Sequence, residues 1–466
     1  MKTADFFWID WLLIASYFIF LIWVSWDKDW KIESEEDFLL SGRKVTLPAF
    51  VATLVSTWYG GILGVGEYSY QFGISQWLIL GAPFYLFSGL FAILIAGKIR
   101  LNRALTLPEA MARKYGENAG RLSALPIFVL VSPAPYILML GLLFQYLSGG
   151  TAPFILYASA VALFSVLYIS IGGFGAVLRT DFIQVILMFL GFIVLIGYAM
   201  AEFGGLGTLW SELPPLHRDF TGGSDWQYIL VWFFIALWTF VDPSFHQRAA
   251  AAESPKTARR GIFISIGFWT LFDFLTCFTG MYAFMILGSG LELPILAYPI
   301  LADQLLPMGL KGLFFVTLLA TIMSTLDSYL FISGQTLGRD FLYRFFPSIQ
   351  PNKLTRISIL ISAILGIVLI IIYPSVIDLW YVIGSVCIPG LLIPVLGIYL
   401  YVFRLKPLYA YLSLICCTLI SAGWLLMGTL NPESDQGYLY LGIEPFYPGL
   451  ILAVLLWVVG RRKDLT

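Results

Sequence analysis

Thirteen apolar stretches, each long enough to cross a bilayer as a helix, follow one another along this chain. They run roughly over 6–26, 47–72, 75–97, 122–147, 152–171, 178–201, 226–245, 259–288, 310–333, 355–373, 376–402, 408–428 and 446–460, numbered below as spans 1 to 13. Backbone groups in hydrocarbon must satisfy one another within the protein, so stretches of this length predict helices. The 466 residues are 59% hydrophobic and 12% charged, with a mean hydropathy of +0.86. No soluble domain of this length needs that much apolar surface. The expected fold is therefore an all-α, multi-pass membrane protein.

Orientation follows from the basic residues. Of the 27 Lys and Arg, all but Lys2, Arg218 and Lys311 fall on alternate connections or at their edges. The positive-inside rule then places the N-terminus outside and the C-terminus in the cytoplasm. The first span lacks the charged leader and small-residue cleavage site of a signal peptide and is expected to be retained. The chain reads as a single membrane unit over 1–466, with an extra helix and cytoplasmic loop over 1–46 and two peripheral helices over 403–466. Between them lie two blocks of five spans, 47–201 and 225–402. A block with an odd number of spans, when repeated, must cross in the opposite direction, so a 5+5 inverted repeat of spans 2–6 and 7–11 is expected.

Residues 104–117 are amphipathic and predict a short cytoplasmic helix, and 431–447 predicts an outer loop. A net charge of −1 gives no attraction to nucleic acid. No phosphate-binding loop is present, so no nucleotide is expected either. Cys277, Cys387, Cys416 and Cys417 lie in apolar stretches without zinc-site spacing, as core thiols do.

Polar residues inside such spans carry the functional signal. Thr321, Ser324, Thr325 and Ser328 follow i, i+3, i+4, i+7 spacing and line one face of span 9. Asp327 lies beside that stripe. An ionisable residue at this depth marks an ion or solute path by default, and neutral oxygens with a carboxylate suit a small hard cation. Helix packing through small polar residues is the competing reading.

Span 2 carries Gly60, Gly61, Gly64 and Gly66 near its middle, poor material for a continuous helix. A break over Gly60–Gly66 would free carbonyls to bind a cation and should adjoin a cavity. Trp58, Tyr59 and Glu67, with Trp238 and Phe240 across from them on span 7, are its candidate lining. Glu67 either recognises a solute or pairs with a neighbouring helix. Asp242-Pro243 interrupts span 7, and Ser132-Pro133-Ala134-Pro135 kinks span 4.

Four motifs in order then resemble the sodium:solute symporter family. They are Phe38-Leu-Leu-Ser-Gly-Arg43; Gly172-Gly-Phe-Gly-Ala-Val-Leu-Arg-Thr-Asp181-Phe-Ile-Gln184; Gln247-Arg248 with Ala251-Ala-Glu-Ser and Ala258-Arg-Arg-Gly261; and Ala320 to Ser328 with Arg339-Asp340. The resemblance implies a leucine-transporter-like core with sodium held between span 2 and span 9. Thr321, Ser324 and Thr325 match its side-chain ligands. The carbonyls would come from Ser56 and Tyr59, or in the other register from Leu54 and Thr57. A second ion site in some members implies roles for Asp181 and Ser328, with Asp327 standing where those members have a hydroxyl.

Together these readings give a sodium-coupled symporter of the cytoplasmic membrane that imports a small polar solute. Its partners would be the solute, sodium and the lipid bilayer. No enzyme activity, no resident cofactor and no metal beyond Na+ as coupling ion are expected. A polytopic transferase, or a solute sensor on a transporter fold, is the rival.

Overall fold

The computed structural model describes residues 5–25, 34–430 and 438–462, and these are helical apart from connections and three isolated bridges. Ten helices, several of them broken midway, are long and apolar enough to cross a membrane, from Leu47–Phe72 to Pro407–Thr429. Three shorter apolar helices, Trp8–Val24, Phe154–Ser170 and Phe446–Gly460, join them among the described residues. Every apolar stretch read from the sequence coincides with one of these, with shifted ends. The helix of residues 107–115 is present as Leu107–Tyr115, with the Thr106 hydroxyl accepting from the Glu109 N–H at 3.1 Å. Lys2, Lys28, Lys31, Lys463 and residues 431–437 of the expected outer loop lie outside the described residues.

Burial sorts the spans into centre and rim. Span 9 is enclosed along its whole apolar length, and Leu47–Phe72 and Val376–Tyr399 nearly so, whereas only 33% of the apolar window of Pro407–Thr429 is buried. Ile371, Leu419 and Val459 of the rim spans are each more than half exposed, as lipid-facing side chains are. Asp10 on span 1 is buried and fastens that span to the centre. Its Oδ1 accepts from the Gly309 and Gly312 N–H groups at the start of span 9, each at 2.8 Å. A carboxylate on the free N–H groups of a helix start complements the helix dipole.

Two features differ from the sequence reading. Spans 5 and 6 join without a loop: residues Phe154–Phe203 run on as helix with one kink at Gly173, so Arg179 sits within a helix. Gly173 has φ +58°, and a Cβ there would meet the Phe38 ring at 2.7 Å; only glycine makes this corner. Arg248 is not a cytoplasmic connection residue either. It lies on Pro243–Ala251, the last segment of span 7, with 1% exposure. The Ala-rich sequence around it lets that segment sit inside the bundle, so its charge drops out of the orientation argument.

Two of the spans, 2 and 7, are broken, and span 4 is kinked. Span 2 divides into Leu47–Trp58 and Ile62–Phe72 around a tight turn at Tyr59–Gly61. Span 7 divides into Trp226–Ile235, Trp238–Val241 and Pro243–Ala251, the last break at Asp242, whose ψ of 113° is extended. Span 4 divides between Leu130 and Ala134, as its two prolines predict. The expected break over Gly60–Gly66 is thus confined to its first two glycines and Tyr59. Gly64 and Gly66 lie in regular helix and serve close packing: a Cβ on Gly66 would sit 2.6 Å from the Tyr298 ring.

Candidate functional site

The break in span 2 lies against span 9. A Cβ on Gly60 would fall 2.1 Å from Thr325 Oγ1, so glycine is what lets that hydroxyl approach the backbone. From there Thr325 donates to the Thr57 carbonyl at 2.6 Å. That carbonyl belongs to the register of Leu54 and Thr57. Ser56 is fully buried and its hydroxyl donates weakly to Thr53 O at 3.4 Å, and Tyr59 donates from its ring to Trp269 O at 2.7 Å. Thr321 donates to Thr317 O within its own helix.

One turn toward the Leu47 end of span 2, a charged cluster closes the site. Asp181 is fully buried and accepts from Ser324 at 2.6 Å and from the Thr53 hydroxyl. The Arg248 guanidinium stands 3.8 Å from Asp181 Oδ2. It donates to Thr53 at 3.2 Å, to Thr57 Oγ1 at 2.5 Å and to Ser328 at 2.9 Å. Four helical segments therefore share one network: the first half of span 2, span 6, the last part of span 7 and span 9. A buried carboxylate is tolerable only with such donors and a nearby cation. Arg179, two residues before Asp181, donates to the Val24 carbonyl at 3.1 Å.

The residues expected at a second ion site are regrouped by the same contacts. Ser328 is held by Arg248 and Thr57, not by Asp181. Asp327 accepts from Tyr168 through one oxygen, and the other is buried without a hydrogen-bond partner. The two carboxylates have no hydrogen-bond partner in common among the described residues.

Beside the break lies a cavity of about 110 Å³. Its walls come from both broken helices: Leu54, Thr57, Trp58, Tyr59 and Gly61 on span 2, and Trp232, Trp238 and Asp242 on span 7. Asp273 of span 8 and Trp380 of span 11 close it. Trp58 packs edge-on against Phe84 and Phe245. Two of the expected lining residues are placed elsewhere. Phe240 is 4% exposed and packs on Phe87 and Phe91, because its segment turns that face into the bundle. Glu67 is half-buried on Ile62–Phe72, nearly two turns beyond the break, and does not line this cavity.

Sequence reasoning passed over Thr53, the Thr57 hydroxyl and Arg248 as site residues. A signal for the first two was present: Thr53, Ser56 and Thr57 repeat on span 2 the i, i+3, i+4 spacing of the span-9 stripe. For Arg248 the signal was its place shortly past Asp242-Pro243 and directly before a run of four alanines.

The profile of the sodium:solute symporter family matches residues 38–404. A sodium/glucose cotransporter of Vibrio parahaemolyticus is 26% identical over 369 residues, covering 69% of this chain and 66% of that protein. The chain thus spans just under two thirds of that relative's length. The osmoregulated proline transporter OpuE of Bacillus subtilis (strain 168) is 24% identical, covering 96% of this chain and 93% of its own. Among solved structures, a Na+-coupled sialic acid symporter in a substrate-bound outward-open state superposes with a TM-score of 0.74. That match covers 98% of this chain and 97% of the other, at 15% identity, and the likeness is one of fold. Because the matched region takes in both broken helices and every residue of the charged cluster, the chain belongs to the sodium:solute symporter family.

Proposed function

We propose that this chain is a sodium-coupled secondary transporter that imports a small polar solute by alternating access. The observation that carries the reading is the convergence of span-9 hydroxyls and the Asp181 carboxylate on the first half of span 2, beside a cavity walled by both broken helices. Several oxygens and one carboxylate are the ligand set of a hard cation. Thr321, Ser324 and Thr325 are the proposed sodium ligands. The bond from Thr325 to the Thr57 carbonyl supports the register of Leu54 and Thr57 over that of Ser56 and Tyr59. A second ion site around Asp181 finds support in Thr53 and Ser324, and less in Ser328 and Asp327. Trp58, Tyr59 and Trp238 are proposed to contact solute.

The same proposal includes thirteen crossings, the N-terminus outside, the C-terminus in the cytoplasm, and spans 2–6 and 7–11 as inverted halves. The basic-residue asymmetry supports that orientation and a place in the cytoplasmic membrane. Na+ acts as coupling ion, and no resident cofactor enters the mechanism. Membership of a transporter family removes the transferase reading.

The test is thermal stabilisation of the purified protein by Na+, repeated against a solute library, because a ligand of the folded state raises apparent stability. Ser324→Ala and Thr325→Ala should each raise the Na+ concentration required by about tenfold, the equivalent of roughly 1.4 kcal/mol of lost ligation. An unchanged Na+ response in both variants sinks the ligand assignment. A wild-type protein stabilised equally by K+ sinks sodium coupling.

A further inference from the structure

A second cavity, of about 290 Å³, lies where spans 7 and 11 begin and the 438–445 connection passes over them. Its size is near the lower end of ligand cavities, roughly 300–1,000 Å³. Tyr228, Trp232, Tyr381 and Tyr438 line it. The Tyr381 and Tyr438 rings stack at 5.1 Å, and Trp232 stands 6.3 Å from both Tyr228 and Tyr381. Two carboxylates complete the lining, Asp378 and Glu444. Glu444 is 4% exposed, and no hydrogen bond to its carboxylate occurs among the described residues. It faces into the cavity unpartnered. Trp232 also lines the central cavity, so the two abut across one indole.

The charge along this route has one sign. Asp378 and Glu444 line this outer cavity and Asp242 and Asp273 the central one, while no Lys or Arg lines either among the described residues. A carboxylate set among apolar and aromatic side chains gains most from a cation that can itself shed water. Aromatic faces around it favour a weakly hydrated organic cation over a tightly hydrated inorganic one.

We infer that the Tyr228–Trp232–Tyr381–Tyr438 box with Asp378 and Glu444 is a binding site for a small organic ammonium ion, and that the transported solute is cationic. The inference rests on the symporter reading for transport, though not for binding. On the proposed orientation the site is an outer vestibule: solute is captured there and passes Trp232 into the central cavity. Burial pushes the Glu444 carboxyl up to about 7, so its charge depends on pH near neutrality. The ionisable groups facing it among the described residues are Tyr228, Tyr381, Tyr438, Tyr447 and Asp378, with none of them basic.

The experiment titrates tetramethylammonium into the full-length purified protein by calorimetry, with neopentyl alcohol as the neutral isostere. Wild type should bind tetramethylammonium saturably at pH 8 and more weakly at pH 6, without competition from the alcohol. Glu444→Gln and Tyr438→Leu should each weaken binding about tenfold, as loss of a charge or a ring face predicts, and Glu444→Gln should lose the pH dependence. Absence of saturable binding, equal competition by the alcohol, equal displacement by K+, or unchanged affinity in both variants would each overturn the inference. Na+ stabilisation of the same samples separates the two readings. If Na+ stabilises and tetramethylammonium does not bind, the ammonium site fails and the symporter stands; if Na+ has no effect, coupling fails whatever the titration gives.

Discussion

Asp181 and Arg248 are opposite charges kept at the centre of an apolar bundle by four hydroxyls that each touch one or both of them. Removing one member of a buried pair leaves the other uncompensated, at a cost of about 3–5 kcal/mol. Their partnership was half legible. The carboxylate sits in a motif on an apolar span and marks itself, whereas Arg248 follows a proline break and reads as loop charge until the chain is folded. The same holds for Glu444, which looks like one acid of a polar connection. Its folded-state carboxyl is raised above the ordinary 4.5 to about 7 by burial. A raised acid is protonated in the fold while the unfolded chain has already ionised, so stability falls as pH rises from about 4.5 through 7 and levels off above. Glu444→Gln should flatten this slope in apparent Tm measured between pH 4.5 and 8; an unaltered slope assigns it to another group.

Among the elements, the broken helices were legible as breaks and less so as shapes. Glycine and proline reveal where a helix cannot continue, which located the interruptions in spans 2, 4 and 7. They do not reveal whether a given glycine is spent on a turn or on close packing. Gly60 and Gly61 belong to the turn, while Gly64 and Gly66 make room for Trp380 and Tyr298. The joined helix Phe154–Phe203 escaped the reading for the same reason, since Gly173 bends the chain without ending it. Gly60→Ala should destabilise by about 1–3 kcal/mol through overpacking against Thr325. Gly267→Ala on span 8 meets nothing within 4 Å and should be neutral or stabilising by up to about 1 kcal/mol. Apparent melting temperatures of both variants in detergent provide the comparison. Equal effects at the two positions would show that the Gly60 contact is not tight.

For the whole molecule, hydropathy carried nearly all the information, because a bilayer leaves the backbone so few choices. It gave the order of the apolar helices but not which of them is central. Span 9 is no more apolar than its neighbours; its hydroxyl stripe on one face and its apolar residues on the others are all covered by the surrounding protein. The resulting arrangement places spans 2, 7 and 9 around one cavity and leaves spans 12 and 13 at the rim.

The contact of Asp10 with Gly309 and Gly312 also sets a timetable for synthesis. The acid is made with the first helix, and its partners lie 299 and 302 residues further along the chain. At roughly 5–20 residues per second, the ribosome takes about 15–60 s to reach them. During that interval Asp10 keeps only its local bond from the Phe7 N–H, and Oδ1 lacks the donors that fasten span 1 to span 9. Ribosome-arrested chains ending before Gly309 should therefore leave a cysteine at the buried position of Ile14, one turn from Asp10, open to maleimide, and chains extended through span 9 should protect it. Equal labelling of the two would mean that span 1 finds its seat without span 9.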